Sequence, residues 1–139
     1  MSELRQPYRG LPFRPILSLT FRTRDGVRHS LSLLADTGCP QDLILAPKWF
    51  DALVLADAEG IENNFGPMNA GWFRLHMPEI GLVELVNGFG SLEVGEAIAT
   101  ELPGVAGLVG LPILRLGEYG GNATDFWFRS SPSTPTGSP

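Results

Sequence analysis

The stretch LLADTGCPQDLIL, residues 33–45, decides how this sequence is interpreted. It places an aspartate, a threonine and a glycine where one apolar run ends, and a second apolar run, Leu43–Leu45, follows shortly after. A carboxylate held at the end of a buried strand has little water around it, so its ionisation costs free energy. The position of Asp36 therefore indicates a functional site.

The residues before this stretch predict a β-hairpin. Residues 11–23 alternate between apolar and polar, which is typical of a half-buried strand, although Ile16 puts an apolar side chain on the polar face. Asp25-Gly26 predicts the turn, because glycine accepts the positive φ of a tight loop. The returning strand is predicted over residues 27–35.

The residues after this stretch predict further short strands and two short helices. Pro47 is expected to open a helix over 48–55, since proline is favoured at a first helical position. A short strand is predicted at 43–45 and mostly loop at 56–64. Extended chain is predicted at 65–85 with a hairpin tip at 66–71, and a further hairpin is formed by strands 81–86 and 91–98. An apolar strand from 105 is followed by a helix from 112, and the last strand is predicted at 125–128.

Length and composition favour one all-β domain. The 139 residues suit a single domain, and 17 glycines with 12 prolines favour short strands joined by tight turns. We expect a closed β-barrel of about eight strands with one or two short helices. The predicted organisation is a flexible N-terminal arm at 1–10, the folded domain at 11–128 and a disordered Ser/Pro/Thr-rich tail at 129–139.

Charge and cysteine content narrow the class of protein. The single Cys39 excludes an internal disulfide, and the sequence shows neither a signal-peptide pattern nor an apolar run long enough to span a bilayer. We therefore expect a cytoplasmic protein with no membrane partner. Residues 1–29 hold six arginines and two acidic residues, although the whole chain has a net charge of −5. We interpret these arginines as solvent-facing strand and turn residues, and predict no nucleic-acid partner.

Asp36-Thr37-Gly38 in this setting resembles the active-site turn of the retropepsin-like aspartic proteases. The family has apolar residues before its Asp-Thr-Gly and, further along, two apolar residues and a glycine before a short helix. Leu108, Val109 and Gly110, followed by residues 111–114, match that second element. The segment between the two elements, residues 65–77, falls where the family carries its flap, and the resemblance spans about residues 13–128.

The resemblance implies a retropepsin-type barrel and an aspartic endopeptidase. Because the chain has only one such tripeptide, the pair of carboxylates that share a proton requires a homodimer with its two-fold axis through the site. Water between the two Asp36 side chains would attack a peptide carbonyl, without metal or other cofactor. Thr37 would hydrogen-bond across the axis, Gly38 would donate its N–H, and Leu108, Val109 and Gly110 would support the turn. A flap tip formed by Met68, Asn69, Ala70 and Gly71 would close over the peptide.

The sequence leaves other interpretations open. Cys39-Pro40-Gln41-Asp42 replaces the small and hydroxyl-bearing residues usual in the family, which favours a non-catalytic dimerisation or peptide-binding module as the alternative. A monomer whose Asp-Thr-Gly turn is only structural is a third possibility. Cys39 with His29 or His76 as a thiol–imidazole pair is less favoured, because nothing in the sequence fixes a histidine beside it.

Overall fold

The computed structural model describes residues 3–10, 13–63 and 66–130. Within those ranges the chain forms ten strands: β1 (Leu4–Pro7), β2 (Ile16–Arg22), β3 (Arg28–Asp36), β4 (Leu43–Leu45), β5 (Ala56–Asn63), β6 (Gly66–Met77), β7 (Leu82–Gly90), β8 (Val105–Gly110), β9 (Gly117–Gly121) and β10 (Asp125–Ser130). The helices of the same ranges are α1 (Pro47–Leu53), α2 (Leu92–Glu101), α3 (Leu111–Leu114) and a 3₁₀ turn at Pro78–Ile80.

Six of the described strands close into a barrel. They follow the order β2-β3-β8-β4-β7-β6, and β6 pairs with β2 again through Phe21 opposite Leu75, which closes the ring. β5 extends the sheet beyond β6, and a separate sheet has the order β1-β10-β9. The prediction of an all-β fold with a closed barrel and a few short helices is confirmed.

The barrel wall has apolar side chains on both of its faces. The inner cluster includes Leu17, Leu33 and Phe73, all fully buried. A second cluster lies on the outer face, where α2 covers Ile16 and Ile44. The packing of α2 explains why Ile16 interrupts the strand pattern, since both faces of β2 are buried at that position.

Two of the predicted segments have a different structure. Residues 56–63, predicted as mostly loop, form the edge strand β5, whose backbone pairs with β6. Of residues 91–98, predicted as a strand, 92–98 belong to helix α2, and the Ser91 hydroxyl caps the helix by accepting the Val94 N–H at 3.2 Å. An N-cap hydroxyl satisfies a backbone donor that has no partner within the helix, so it fixes the start of α2.

The chain ends also differ from the prediction. Leu4–Pro7 of the expected flexible arm forms β1, which pairs with β10 from Leu4 opposite Phe128 to Pro7 opposite Asp125. β10 continues to Ser130, and β9 was not predicted. The rest of the predicted tail, 131–139, lies outside the described residues. In the described part of the chain, no helix has both the length and the apolar character needed to cross a membrane.

Candidate active site

Strand pairing brings the Asp36 turn and the second predicted element together. β3 and β8 run parallel, with Leu34 opposite Leu108, Ala35 opposite Val109 and Asp36 opposite Gly110. The two segments, far apart in sequence, therefore end side by side at the same edge of the barrel. Leu108, Val109 and Gly110 were predicted to support the Asp36 turn. That role requires them to lie beside it, as they do.

Gly110 makes room for the loop that follows the turn. A Cβ atom at this position would lie 1.8 Å from the Gln41 carbonyl oxygen and 2.8 Å from that of Cys39. The Gly110 N–H donates to the Asp42 carbonyl at 2.9 Å, and the Leu111 N–H donates to the Cys39 carbonyl at 3.0 Å. The loop after Asp36 is thus held by backbone hydrogen bonds to β8 and α3, at a distance that only glycine permits.

The turn itself holds one oxygen of the Asp36 carboxylate. The Gly38 N–H donates to Asp36 Oδ1 at 2.9 Å, and the Cys39 N–H donates to the Asp36 carbonyl at 3.1 Å. A Cβ atom at Gly38 would lie 3.2 Å from Oδ1, so a side chain there would crowd the carboxylate. Asp36 is partly exposed, so the expectation from the sequence that its carboxylate has little water around it is wrong. Thr37 and Gly38 are exposed. The turn therefore presents a backbone-anchored carboxylate at an open surface.

Cys39 is buried behind this turn. Its Sγ lies 3.6 Å from the Gln41 carbonyl oxygen, and its side chain packs in the cluster under α2. Burial raises the pKa of the Cys39 thiol, a backbone hydrogen bond at Gln41 partly offsets the rise, and the nearby carboxylates of Asp36 and Asp42 add to it. A buried thiol with a raised pKa is a poor nucleophile.

The structure does not place either histidine beside this thiol. His29 lies opposite Phe21 near the start of β3, and His76 lies opposite Val83 on β6. Both positions belong to the other end of the barrel from Cys39. The thiol–imidazole interpretation is therefore not supported.

Asp42 is engaged by a neighbouring strand. Its Oδ2 accepts the Asn87 N–H of β7 at 3.2 Å. Burial raises the pKa of this carboxyl, and the Asn87 N–H lowers it in part. The contact with Asn87 could not have been predicted, because it depends on β4 and β7 being neighbours in the barrel.

The four residues predicted as a flap tip lie in the body of a strand. Met68–Gly71 belong to β6, with Ala70 opposite Ala58 of β5 and opposite Phe89 of β7. Asn63 pairs with Gly66, so the β5–β6 connection falls at residues 64–65, outside the described residues. The prediction of a hairpin tip at 66–71 is therefore wrong, because these residues pair with β5 on one side and, from Asn69 on, with β7 on the other.

An apolar hollow lies beside the Asp36 turn. It has a volume of about 550 Å³ and is lined by Pro40, Leu111, Pro112, Arg115 and Leu116. Across the described chain, no group of three or more His, Cys, Asp or Glu side chains is placed to hold a metal ion. The groups present at this end of the barrel are thus a carboxylate, backbone N–H groups and an adjacent apolar surface.

Comparisons with protein families, with curated proteins and with solved structures each gave no match to this chain. The geometry of the Asp36 turn is therefore the basis for the function proposed below.

Proposed function

We propose that this chain is one protomer of a homodimeric, retropepsin-like aspartic endopeptidase. The observation that carries the proposal is the anchoring of Asp36, whose Oδ1 accepts the Gly38 N–H in a turn braced against Gly110. A carboxylate fixed in this way keeps its second oxygen for a partner. A purely structural turn acid also accepts the N–H two residues on. A site role is favoured here because Asp36 Oδ2 has no partner among the described residues and because Asp36 lies in register with Gly110.

A second copy of the chain would complete the site. Peptide hydrolysis by carboxylates needs two of them close enough to share one proton, so that one acts as base and the other as acid. Asp42 is a poor candidate for the second carboxylate, because its side chain is directed towards β7, where its Oδ2 accepts the Asn87 N–H. A two-fold axis beside Thr37 would bring two Asp36 side chains face to face.

The surface around the turn is compatible with such a dimer. Thr37 and Gly38 are exposed, and among the described residues the Thr37 hydroxyl makes no hydrogen bond within its own chain. Pro40 and Leu116 are exposed beside them and border the apolar hollow. A second copy would cover this apolar surface and offer a partner to each Thr37 hydroxyl.

The proposed reaction is the direct attack of water on a peptide carbonyl. The ionised Asp36 of one protomer takes a proton from the water, and the protonated Asp36 of the other donates one to the carbonyl oxygen. The Gly38 N–H groups hold the carboxylates in place throughout.

A non-catalytic peptide-binding or dimerisation module is the alternative. The loop after the turn favours it, because Cys39 is buried where the family has a small residue and Asp42 is engaged by β7. Hydroxyl groups that would extend the hydrogen-bond network of the Asp36 carboxylate are missing from residues 39–42. This alternative keeps the dimer and the turn but has no turnover.

The test is cleavage of a peptide library between pH ~4 and ~7 by the wild type, by Asp36→Asn, and by an equilibrated equal mixture of the two. We expect turnover by the wild type and none by Asp36→Asn. If both chains contribute to one site, the random mixture retains about a quarter of the activity of the same total amount of wild type, because only wild-type pairs are active. Independent sites would retain about half.

Sedimentation and turnover together separate the proposal from its alternative. Dimers with no turnover at any pH would favour the binding module. Monomers alone at high micromolar concentration, or cleavage that survives Asp36→Asn, would overturn the shared-site mechanism.

A further inference from the structure

Three arginines lie side by side on the outer face of the barrel. Arg28 of β3 is directly opposite Arg22 of β2, and Arg22 is directly opposite Arg74 of β6. Residues in direct register project from the same face of a sheet, and like charges in such pairs destabilise it. The fold thus keeps an unfavourable row of cations, which calls for an explanation beyond stability.

The charges in this row are only partly compensated. Arg28 forms an ion pair with Glu79 at 3.2 Å. For Arg22 and Arg74, by contrast, the described residues provide no carboxylate within ion-pair distance. Arg24 donates to the Leu55 carbonyl, so its positive charge is hydrogen-bonded but not neutralised.

Arg22, Arg24 and Arg74 line one cavity of about 530 Å³. Its lining consists of Arg22, Thr23, Arg24, Gly26, Leu55, Arg74, His76 and Val83. The volume is that of a small-molecule site. His76 adds a second unusual feature, because its Nδ1 is buried and has no hydrogen-bond partner among the described residues.

The turn at Gly26 helps to shape this cavity. A Cβ atom at Gly26 would lie 3.6 Å from Arg22 Nη2, so the guanidinium of Arg22 extends over the hairpin turn. Arg74 approaches from the neighbouring strand, and Arg24 from the turn itself. Arginine side chains from two strands and a turn therefore line one concave site.

We propose that this cavity binds a phosphate group. A phosphate monoester carries close to two negative charges at neutral pH, which matches cations that lack carboxylate partners. Guanidinium groups bind phosphate through paired N–H donors, a geometry that lysine does not offer. A bound phosphate would also remove the repulsion between Arg22 and Arg74.

The proposed phosphate site is separate from the Asp36 turn. Arg28 and Asp36 stand at opposite ends of β3, roughly 26 Å apart by the rise of a strand. The inference therefore does not depend on peptidase activity. It also differs from nucleic-acid binding through the N-terminal arginines, because Arg5 and Arg14 form ion pairs elsewhere, with Glu3 and Glu101.

The same phosphate chemistry is found on soluble metabolites and on lipid headgroups, so the experiment has two arms. The first titrates glycerol 3-phosphate into the full chain at constant ionic strength and follows binding by calorimetry and by the fluorescence of Trp72, which lies two residues from Arg74. The second measures sedimentation with phosphatidylcholine vesicles, with and without phosphatidic acid. Sodium acetate at matched ionic strength is the control for charge screening.

Arg22→Gln and Arg74→Gln are the test variants, and Arg115→Gln is the matched control. Arg115 is exposed and, within the described chain, is also without an ion pair, but it lies beside α3 rather than in this cavity. We expect each test variant to weaken phosphate binding about tenfold or more, and the control to leave it unchanged. Melting curves without phosphate check folding, and the test variants should melt no lower than the wild type.

Each outcome decides the proposal. Binding of glycerol 3-phosphate that both test variants weaken supports a soluble ligand, and the same loss seen only with phosphatidic acid vesicles supports a lipid headgroup. Absence of binding in both arms would overturn the proposal. So would equal binding of acetate, or binding that Arg22→Gln and Arg74→Gln leave intact.

Discussion

Strand β3 begins after the Asp25-Gly26 turn and ends at the Asp36-Thr37-Gly38 turn. The two turns hold their carboxylates in different ways. At the first, the Thr23 hydroxyl donates to the Asp25 carboxylate and also accepts the Val27 N–H at 3.1 Å. At the second, Asp36 receives the Gly38 N–H at 2.9 Å, and no side chain among the described residues bonds to it. The exposed Asp25 carboxylate is held by a side chain of its own turn, whereas the partly exposed Asp36 carboxylate is held by a backbone N–H and has no side-chain partner among the described residues.

The two glycines also have different reasons for being there. Gly26 has a φ of 85°, a conformation that other residues rarely adopt, so the backbone of the turn requires it. Gly38 does not have positive φ, and the constraint there is the Asp36 oxygen 3.2 Å from a Cβ position. The two glycines are therefore needed for different reasons. Gly26 is required by the backbone conformation of its turn, whereas Gly38 is required by the limited space beside the Asp36 carboxylate.

The largest expected difference between the two turns is the effect on peptide cleavage of removing the carboxylate of Asp36 or of Asp25. Asp36→Asn is expected to lower peptide cleavage by about 10³-fold or more, because an amide cannot act as general acid or base. Asp25→Asn should leave cleavage unchanged, since its carboxylate is bound within its own turn at the other end of β3. The peptide-library assay measures both variants. An equal loss in the two would mean that the Asp36 turn has no special role.

Adding a methyl group beside each turn should separate the two in stability. Gly110→Ala places a Cβ atom 1.8 Å from the Gln41 carbonyl oxygen, so the loop after Asp36 must move, and we expect a loss of about 3 kcal/mol or more in the free energy of unfolding. Gly26→Ala strains φ but meets nothing closer than 3.6 Å, so about 1–2 kcal/mol is expected. Urea unfolding measures both. A smaller loss for Gly110→Ala than for Gly26→Ala would contradict the close packing of this loop.

Sequence patterns predicted the elements whose signals are local. Leu43–Leu45, the hairpin around Gly26, and β8 followed by α3 were all predicted, because buried apolar runs between turn residues leave little choice of structure. The adjacency of Asp36 and Gly110 followed from resemblance to a known family, and the strand register agrees with it. Whether two copies of the turn meet remains a prediction.

Two of the errors arose where glycine serves tertiary packing. In α2, a Cβ atom at Gly95 would lie 2.8 Å from that of Ala46, so this glycine permits close helix packing although it weakens the helical pattern. Gly71 looked like part of a loop tip, but a Cβ atom there would lie 2.4 Å from Val54 Cγ2. A single sequence does not distinguish a glycine chosen for space from one chosen for a turn.

The arginine row was missed for a related reason. It depends on the register that sets Arg22 opposite both Arg28 and Arg74. Arg74 lies far along the chain from the other two, so no local pattern connects them. Sites built from strand register become visible only when the pairing is known.

Replacing Thr23 and Thr37 should distinguish two kinds of hydrogen bond. The Thr23 hydroxyl bonds within its own chain, whereas the Thr37 hydroxyl is proposed to bond across the dimer. Thr23→Val removes the hydroxyl that contacts Asp25 and the Val27 N–H, so the free energy of unfolding should fall by about 1 kcal/mol. Thr37→Val should leave protomer stability unchanged but weaken dimerisation about tenfold. Chemical unfolding and sedimentation measure the two effects. A stability loss in Thr37→Val equal to that in Thr23→Val would show that both turns are structural.

The smallest expected effect is a difference in pH dependence between Asp25 and Asp42, one acid from each turn region. A hydrogen bond from the Thr23 side chain lowers the pKa of Asp25 from its ordinary 3.8, with further lowering by backbone hydrogen bonds at the turn. Stability from this group is therefore present above the unfolded pKa and is lost as pH falls through the folded pKa. Asp42 has the opposite sign, because burial raises its pKa from 3.8. Its contribution is present below the unfolded pKa and is lost as pH rises through the folded one.

Replacing each acid by asparagine should remove these opposite dependences. Asp42→Asn should unfold with a free energy a few tenths of a kcal/mol higher than the wild type near pH 7, a small gain because solvent screens a half-exposed carboxyl, and this gain should vanish near pH 3. Asp25→Asn should lose stability near pH 7 and match the wild type at acid pH. Urea unfolding at several pH values between ~3 and ~7 measures both, with the exposed Asp51→Asn as control. The Asn87 N–H can bond to either an aspartate or an asparagine at position 42. A stability gain of Asp42→Asn that persists at pH 3 would therefore show that shape or packing, rather than ionisation, causes the gain.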